Sequence, residues 1–449
     1  KEDIKTAILA QLSVKGYPKD LVEVDMAGNN QFFLWHTWFY DVFEKGGFDI
    51  VIGNPPWGAD LSKSDKAILK RTFQEIDSST PNSFAYFIGW ANRYSKDVVS
   101  LVLPDSILIK DYAKTRRLIC DRISEIIWFQ NCGVPDTIKK FIGVDHDVCI
   151  ISFDREIKDR IDLTTESYID GVIVKDHANR LKAEVIRPEF DYVFNLRASD
   201  ADISILNKMT SGHDSLDSFM QCHEGIHTGN VRDKLFINGY KPGLKPLYYG
   251  GSAGDVIKTY SSQLSCWFVD YRKEIIDKSR GEYASLRDER IFNRPKIYVT
   301  RTGNPFKAFF DESSYASNNF FSLQYLDYSE NTAGNLLFVL PFINSRICQY
   351  FIRTFAAPRL GNTFVETKII HLLKFPVPKP NADEKERLHS LVLGIINQRQ
   401  DDINRDTKPA EEEINLLIYH LYGLNYDEVK VIEPDISISR EEYESNIRI

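Results

Sequence analysis

Phe48-Asp49-Ile50-Val51-Ile52-Gly53-Asn54-Pro55-Pro56-Trp57 decides how the chain is read: an apolar, β-branched run ends abruptly in Asn-Pro-Pro-aromatic. Ile50, Val51 and Ile52 show no polar alternation, the pattern of a parallel strand buried on both faces. Pro55 and Pro56 must end that strand, because neither has an N–H to offer a ladder and Pro56 pushes Pro55 out of the helical region. The resulting turn is stiff. In an open α/β sheet it would sit outside the carboxyl end of its strand, where ligands collect. The Asn54 side-chain oxygen and the Pro55 backbone carbonyl there form an uncharged acceptor pair, suited to a planar amine with two N–H donors. Trp57 can lie against the ring that carries the amine, a stacking contact worth roughly 1–3 kcal/mol per base. An ordinary surface turn is the alternative, since Asn and Pro are common turn formers.

Downstream, the pattern alternates as a doubly wound sheet should. Residues 62–77 and 83–96 are expected as helices, Asp97 to Leu103 as a buried strand stopped by Pro104, and Tyr112 to Ile123 as a helix. Glu125 to Phe129 and Val148 to Phe153 are expected as strands pairing antiparallel at one edge. Upstream, Ile4, Ile8, Leu9 and Leu12 give an amphipathic start, and residues 1–47 contain no Gly-x-Gly loop after a strand. From about residue 188 the texture changes to short segments rich in Gly, Tyr and basic residues. Residues 381–449 are expected to be helical, with apolar stripes at Leu388, Leu391, Val392, Ile395 and Ile396 and at Ile414, Leu417, Ile418 and Leu421. Gly423 is placed to end the second stripe, and Asn425 with Glu428 forms a capping box.

Gly46 to Trp57 resembles the catalytic motif of amino-methyltransferases acting on adenine in DNA. Phe32-Phe33-Leu34-Trp35-His36-Thr37-Trp38-Phe39-Tyr40-Asp41-Val42-Phe43 resembles the segment leading into it in type IIG restriction-modification methylases. Gly225-Ile226-His227-Thr228-Gly229-Asn230 resembles the start of the target-recognition domains of these enzymes. Pro295 to Thr300 resembles a strand of that domain, as does Phe342 to Arg346, with Lys374 to Pro378 as a connector. The resemblance, of gamma-type order, implies an α/β fold: a partial doubly wound, Rossmann-like methyltransferase sheet, then an α+β target-recognition domain and C-terminal helices. The implied bounds are 1–165, 188–380 and 381–449, the last packing on the recognition domain.

The resemblance further implies S-adenosyl-L-methionine as cofactor, its binding loop lying in an upstream part of the same polypeptide, so that the chain is expected to begin inside the catalytic domain and to be inactive alone. Double-stranded DNA is the implied partner and base flipping the implied route. Asn54, Pro55, Pro56 and Trp57 would be catalytic, and Trp57 with Phe141 would hold the flipped base. Thr228, Asn230, Arg287, Arg290, Arg294, Lys296 and Arg301 are candidate DNA contacts, drawn from the glycine stretch and from a basic run between Arg272 and Lys307. Such a run is also what an ordinary solvated face looks like.

A chain of 449 residues makes about two to four domains, at roughly 100–200 residues each. Its 43% hydrophobic and 27% charged residues are those of a globular protein, with no apolar run near membrane length and no secretory signal. The net charge of −8 does not suit a nucleic-acid binder globally, so a local basic face is needed. Cys120, Cys132, Cys149, Cys222, Cys266 and Cys348 lack Cys-x-x-Cys spacing, which argues against zinc or a disulfide framework and for a reducing cytoplasm.

His223-Glu224-Gly225-Ile226-His227 matches the zinc-protease pattern, but that pattern needs a helix, and Gly225 with Thr228-Gly229-Asn230 disfavours one. No metal site is expected. Pro104-Asp105, Pro135-Asp136 and Pro434-Asp435 lack the Asp/Glu-x-Lys partner of a metal-dependent nuclease. The alternatives are a DNA-specificity module that does no chemistry, and an RNA or protein-glutamine methyltransferase using the same Asn-Pro-Pro-aromatic.

Overall fold

The computed structural model describes residues 39–76, 82–303, 305–356 and 369–445. The amphipathic start at Ile4 to Leu12 and the aromatic segment up to Trp38 lie outside the described residues.

A six-stranded mixed sheet comes first, in the order β1-β2-β4-β3-β5-β6. Its strands are β1 (Phe48–Gly53), β2 (Ser95–Pro104), β3 (Ile123–Phe129), β4 (Val148–Phe153), β5 (Arg160–Ile169) and β6 (Val172–Lys182). β1 runs parallel to β2, and β3 parallel to β5. β4 is antiparallel to both β2 and β3. Helices α1 (Lys63–Thr72), α2 (Ser83–Tyr94) and α3 (Ala113–Ile119) connect the first strands. Ser62 and Asp65 open α1 with a reciprocal capping box. Phe84, Ala85 and Ile88 of α2 pack in one buried cluster with Val99, Leu101, Ile126 and Ile151 of the sheet.

Two expectations change here. β1 pairs with β2 alone among the described residues, and Ile50 and Ile52, which share one face, are 62% and 79% exposed while Val51 packs against the core on the other, so the strand is not buried on both faces. β3 and β4 do pair antiparallel, but inside the sheet, because β3 takes β5 on its other side. β5 and β6 then form a hairpin through Asp170-Gly171, both at positive φ, the two-residue turn whose twist matches its flanking strands. The sheet therefore runs past residue 165, to Lys182.

The chain that leaves the sheet is fastened back onto it. Arg116, only 1% exposed, donates to the carbonyls of Ile107 at 2.9 Å, Lys110 at 2.8 Å and Asp191 at 2.8 and 3.1 Å. Burial pushes its guanidinium down to about 10. Asp191 and Tyr192 both adopt left-handed backbone at this point, with φ of 54° and 55°.

The second region holds two four-stranded sheets. One is antiparallel throughout, in the order β12-β11-β14-β7, from β7 (Met220–Glu224), β11 (Lys296–Thr300), β12 (Ala308–Asp311) and β14 (Phe320–Tyr325). The other, in the order β13-β9-β10-β8, comprises β8 (Phe236–Asn238), β9 (Lys245–Tyr248), β10 (Trp267–Val269) and β13 (Tyr315–Ala316). Tyr248, Tyr298, Phe309, Ala316 and Phe320 form a buried cluster drawn from both sheets.

Helices cover the first of these sheets. Ile297, Val299, Phe321 and Leu323 share one core with Ile205, Leu206 and Met209 of α4 (Asp200–Thr210), Leu336, Leu340 and Phe342 of α5 (Ala333–Asn344), Leu388, Val392 and Ile395 of α7 (Ala382–Asp401), and Ile414 and Ile418 of α8 (Lys408–Leu421). Phe342 to Arg346 is thus a helix end and not a strand. Ser345 caps α6 (Arg346–Phe351), and the Asn344 amide exchanges bonds of 2.8 and 2.9 Å with the Ala308 backbone, serving β12 as a neighbouring strand would. Gly423 turns the chain at φ 63°, and the Asn425–Glu428 box opens α9 (Tyr426–Ile432) as its sequence indicates. No helix among the described residues is long and apolar enough to cross a membrane.

Candidate functional site

The turn after β1 is built by its neighbours. Asn54 is exposed, Pro55 buried, Pro56 exposed and Trp57 half-buried. The Trp57 indole N–H points at the Val102 carbonyl near the end of β2, at 3.4 Å. Ser83 Oγ donates to the Pro56 carbonyl at 2.5 Å and accepts from the Ala59 N–H at 3.3 Å. Asn82 Oδ1 accepts from the Gly58 N–H at 3.0 Å. The first residues of α2 therefore clamp the turn from below and leave the Asn54 amide presented outward. Asn82 and Ser83 are not among the site residues expected from sequence, although Pro81-Asn82-Ser83 before an apolar periodic run is a helix-start signal.

Phe141 lies on the 130–147 loop between β3 and β4. The loop is closed by the 1%-exposed Asn131, which donates to the carbonyls of Phe141 at 3.1 Å and Val144 at 2.8 Å and accepts from the Phe141 N–H at 3.2 Å. Asp147 Oδ1 accepts from the Asn131 and Cys132 N–H groups, both at 2.8 Å. The Phe141 ring meets Phe129 edge to face at 5.7 Å, and Lys140 stands over Phe129 while pairing with Glu166 at 2.5 Å. Strand register puts this loop and the turn on the same side of the sheet. Gly53 aligns with Leu101 of β2, whose end at Pro104 faces Val148, which in turn faces Phe129. Asn54 to Trp57 and Phe141 thus share the carboxyl edge of β1, β2 and β3, where a doubly wound sheet takes its ligand.

The candidate contacts of the second region divide sharply. Lys296 is fully buried: its ammonium pairs with Asp311 at 2.9 Å and donates to the carbonyls of Phe292 and Arg294 at 2.8 and 2.9 Å. Burial lowers its pKa against the pull of Asp311. It sits in the core, so the expectation that it meets phosphate is corrected. Its place in the basic run reflects a central strand residue that needed an internal partner. Asn230 spends its amide on Gly281 at 3.1 Å and Tyr283 at 2.9 Å. Thr228 and Asn230 border an open depression of about 400 Å³ with Arg232, Lys234 and Glu282. Arg290 is on open surface, paired with Asp288 at 2.5 Å. Arg294 stacks over Tyr328 at 3.9 Å. Arg287 and Arg301 both turn to Glu224.

The His-Glu-x-x-His stretch is not helical, since His223 and Glu224 belong to β7. No group of three potential metal ligands occurs among the described residues, and the six cysteines are free.

Comparison with known proteins accounts for both regions. Residues 1–134 match the family described as Eco57I restriction-modification methylase, and residues 248–377 match the TaqI-like C-terminal specificity domain. The type II methyltransferase M.VspI of Vibrio sp. (strain 343) is 22% identical over 227 residues, which is 47% of this chain and 48% of the relative. The chain thus spans about half the length of that curated relative. The solved structure of the type IIL restriction-modification enzyme MmeI in complex with DNA matches 96% of this chain and 60% of its own, with a TM-score of 0.55 and 11% identity, a likeness of fold. The chain is thus similar to a restriction-modification methylase over residues 1–134 and to a TaqI-like specificity domain over residues 248–377.

Proposed function

We propose that this chain takes part in site-specific N6 methylation of adenine in double-stranded DNA within a bacterial restriction-modification system. The observation that carries the proposal is the uncharged acceptor pair of Asn54 and Pro55 at the carboxyl edge, with Trp57 beside it and the Phe141 loop along the same edge.

The target base has to leave the duplex, at a cost of a few kcal/mol, before its amine is accessible. Trp57 and Phe141 then offer apolar faces to the extruded ring. The Asn54 side-chain oxygen and the Pro55 carbonyl accept the two amine hydrogens, which draws the nitrogen lone pair out of conjugation. As the nitrogen gains a bond, positive charge grows on it, and acceptors already in place stabilise that charge without reorganising. S-adenosyl-L-methionine, when bound, supplies an electrophilic methyl group. The acceptor pair fits it: being uncharged, it positions a neutral amine towards a cationic methyl donor and adds no charge of its own. No covalent bond to the protein is needed.

The test is Asn54→Ala in the whole protein, with methyl transfer and gel-shift binding measured side by side. Transfer should fall by at least about 10²–10³-fold while DNA affinity stays within a factor of about two. Joint loss of binding and transfer would assign Asn54 to the fold instead.

A further inference from the structure

Glu224 and His227, which a zinc helix would have used, are instead drawn into a cluster with two arginines. Arg287 Nη2 donates to Glu224 Oε2, His227 Nε2 lies 3.1 Å from the same oxygen, and Arg301 Nη1 is 3.6 Å from Oε1. One carboxylate thus faces two guanidinium groups. The side chains are also poised between burial and solvent: Glu224 is 32% exposed, Arg287 30% and Arg301 28%, against 0% for Lys296 and 76% for Arg290.

The backbone under Arg287 is strained. Its φ is +40°, a left-handed value that a non-glycine residue holds only where its surroundings enforce it. They do so here. Tyr271 Oη donates to the carbonyls of both Leu286 and Arg287, at 2.9 and 2.8 Å. Ser285 and His227 exchange backbone bonds of 2.8 and 3.1 Å. At Gly225 a Cβ would stand 2.0 Å from the Ser317 carbonyl oxygen, so that strip of chain cannot move aside.

The guanidinium is held by one edge only. Its Nε donates to the Gly225 carbonyl at 3.3 Å and its Nη2 to Glu224, while Nη1 has no partner among the described residues. The outer edge, Nη1 with the second N–H of Nη2, therefore offers two parallel donors in a fixed plane. Such a fork matches O6 and N7 of guanine in the major groove, and because it is fixed in place it can select one base pair, which a contact to phosphate cannot do.

We infer that Arg287 reads a guanine in the recognition sequence and that Glu224 is the positioning residue that holds its fork in plane, within the DNA-recognition role proposed above. The test maps the methylated sequence of the whole protein and then profiles every single-base-pair variant of it. Arg287→Lys should lose roughly 10–100-fold of its discrimination at one G·C pair and leave the other positions unchanged. Glu224→Gln should relax the same pair by a smaller factor. Arg287→Gly suits the left-handed backbone, so it should keep its melting temperature within a few degrees while relaxing that pair fully. This separates reading from folding. An unchanged profile, or uniform weakening on all sequences, in both Arg287 variants would overturn the inference and leave the methyltransferase proposal standing. An unaltered protein with no sequence preference at all would overturn both.

Discussion

The turn after β1 and the Glu224 cluster both present polar groups at a surface, and the molecule fixes them by opposite means. At the turn the presented groups are uncharged, and they are held from outside by Asn82 and Ser83 at the start of α2. In the cluster the groups are charged and hold one another, while the backbone at Arg287 carries the strain. The difference follows from what each group would do if released. A neutral acceptor only has to be in the right place. On the inference that Arg287 reads a base, a loose guanidinium would pair with any phosphate and read nothing, so it has to be contained.

The largest expected effect removes containment altogether. Lys296→Ala leaves Asp311 buried without its cation and should cost about 3–5 kcal/mol of stability, whereas Lys296→Met paired with Asp311→Leu should fold at close to the original stability. Chemical denaturation of the two proteins decides, and a mild effect of the alanine would mean that Lys296 reaches solvent. Next, Ser83→Ala removes two bonds from the turn and nothing from the charges. It should lower the single-turnover methylation rate by about tenfold, equivalent to about 1.4 kcal/mol, with gel-shift affinity unchanged. An unaltered rate would reduce the turn to a surface feature.

The smallest effect concerns Asp288, whose carboxyl the Arg290 guanidinium and N–H hold down to about 2. A depressed carboxylate contributes stability that is present above its ordinary value near 3.8 and is lost as pH falls through the folded value. Asp288 should therefore titrate near pH 2 by NMR and move up towards the ordinary range in Arg290→Gln. Bound DNA that recruits Arg290 should raise it in the same direction.

Signals that lie within a few residues of one another were legible. The Asn54 to Trp57 turn, the β3–β4 pairing and the Asn425–Glu428 box all come from runs, prolines and spacings in a single stretch. Signals that depend on distant partners were not. Ile50 and Ile52 look like buried strand residues because what covers the face of a strand is supplied by other elements and not by the strand. Phe342 and Ile343 are apolar without alternation, which suits a buried helix as well as a strand. The basic run looked like free charge because Glu224 and Asp311, which neutralise parts of it, are supplied by other strands. Asp170-Gly171 is a local hairpin signal that outweighs the expected boundary at 165. Asn82 and Ser83 were legible as a helix start, but nothing in the sequence says that they grip a turn 24 or more residues earlier.

Arg116 ties the carbonyl of Asp191, beyond the last strand of the first sheet, into the loop between β2 and α3, and the Phe194 N–H adds a bond of 2.9 Å to the Leu108 carbonyl. The passage between the two regions is consequently a welded joint and not a tether. Replacement of the second region by another is compatible with this joint only if the crossover falls after Leu196. A crossover at residue 165 would cut β5 in two, and one between Lys182 and Asp191 would leave a buried guanidinium facing a foreign backbone.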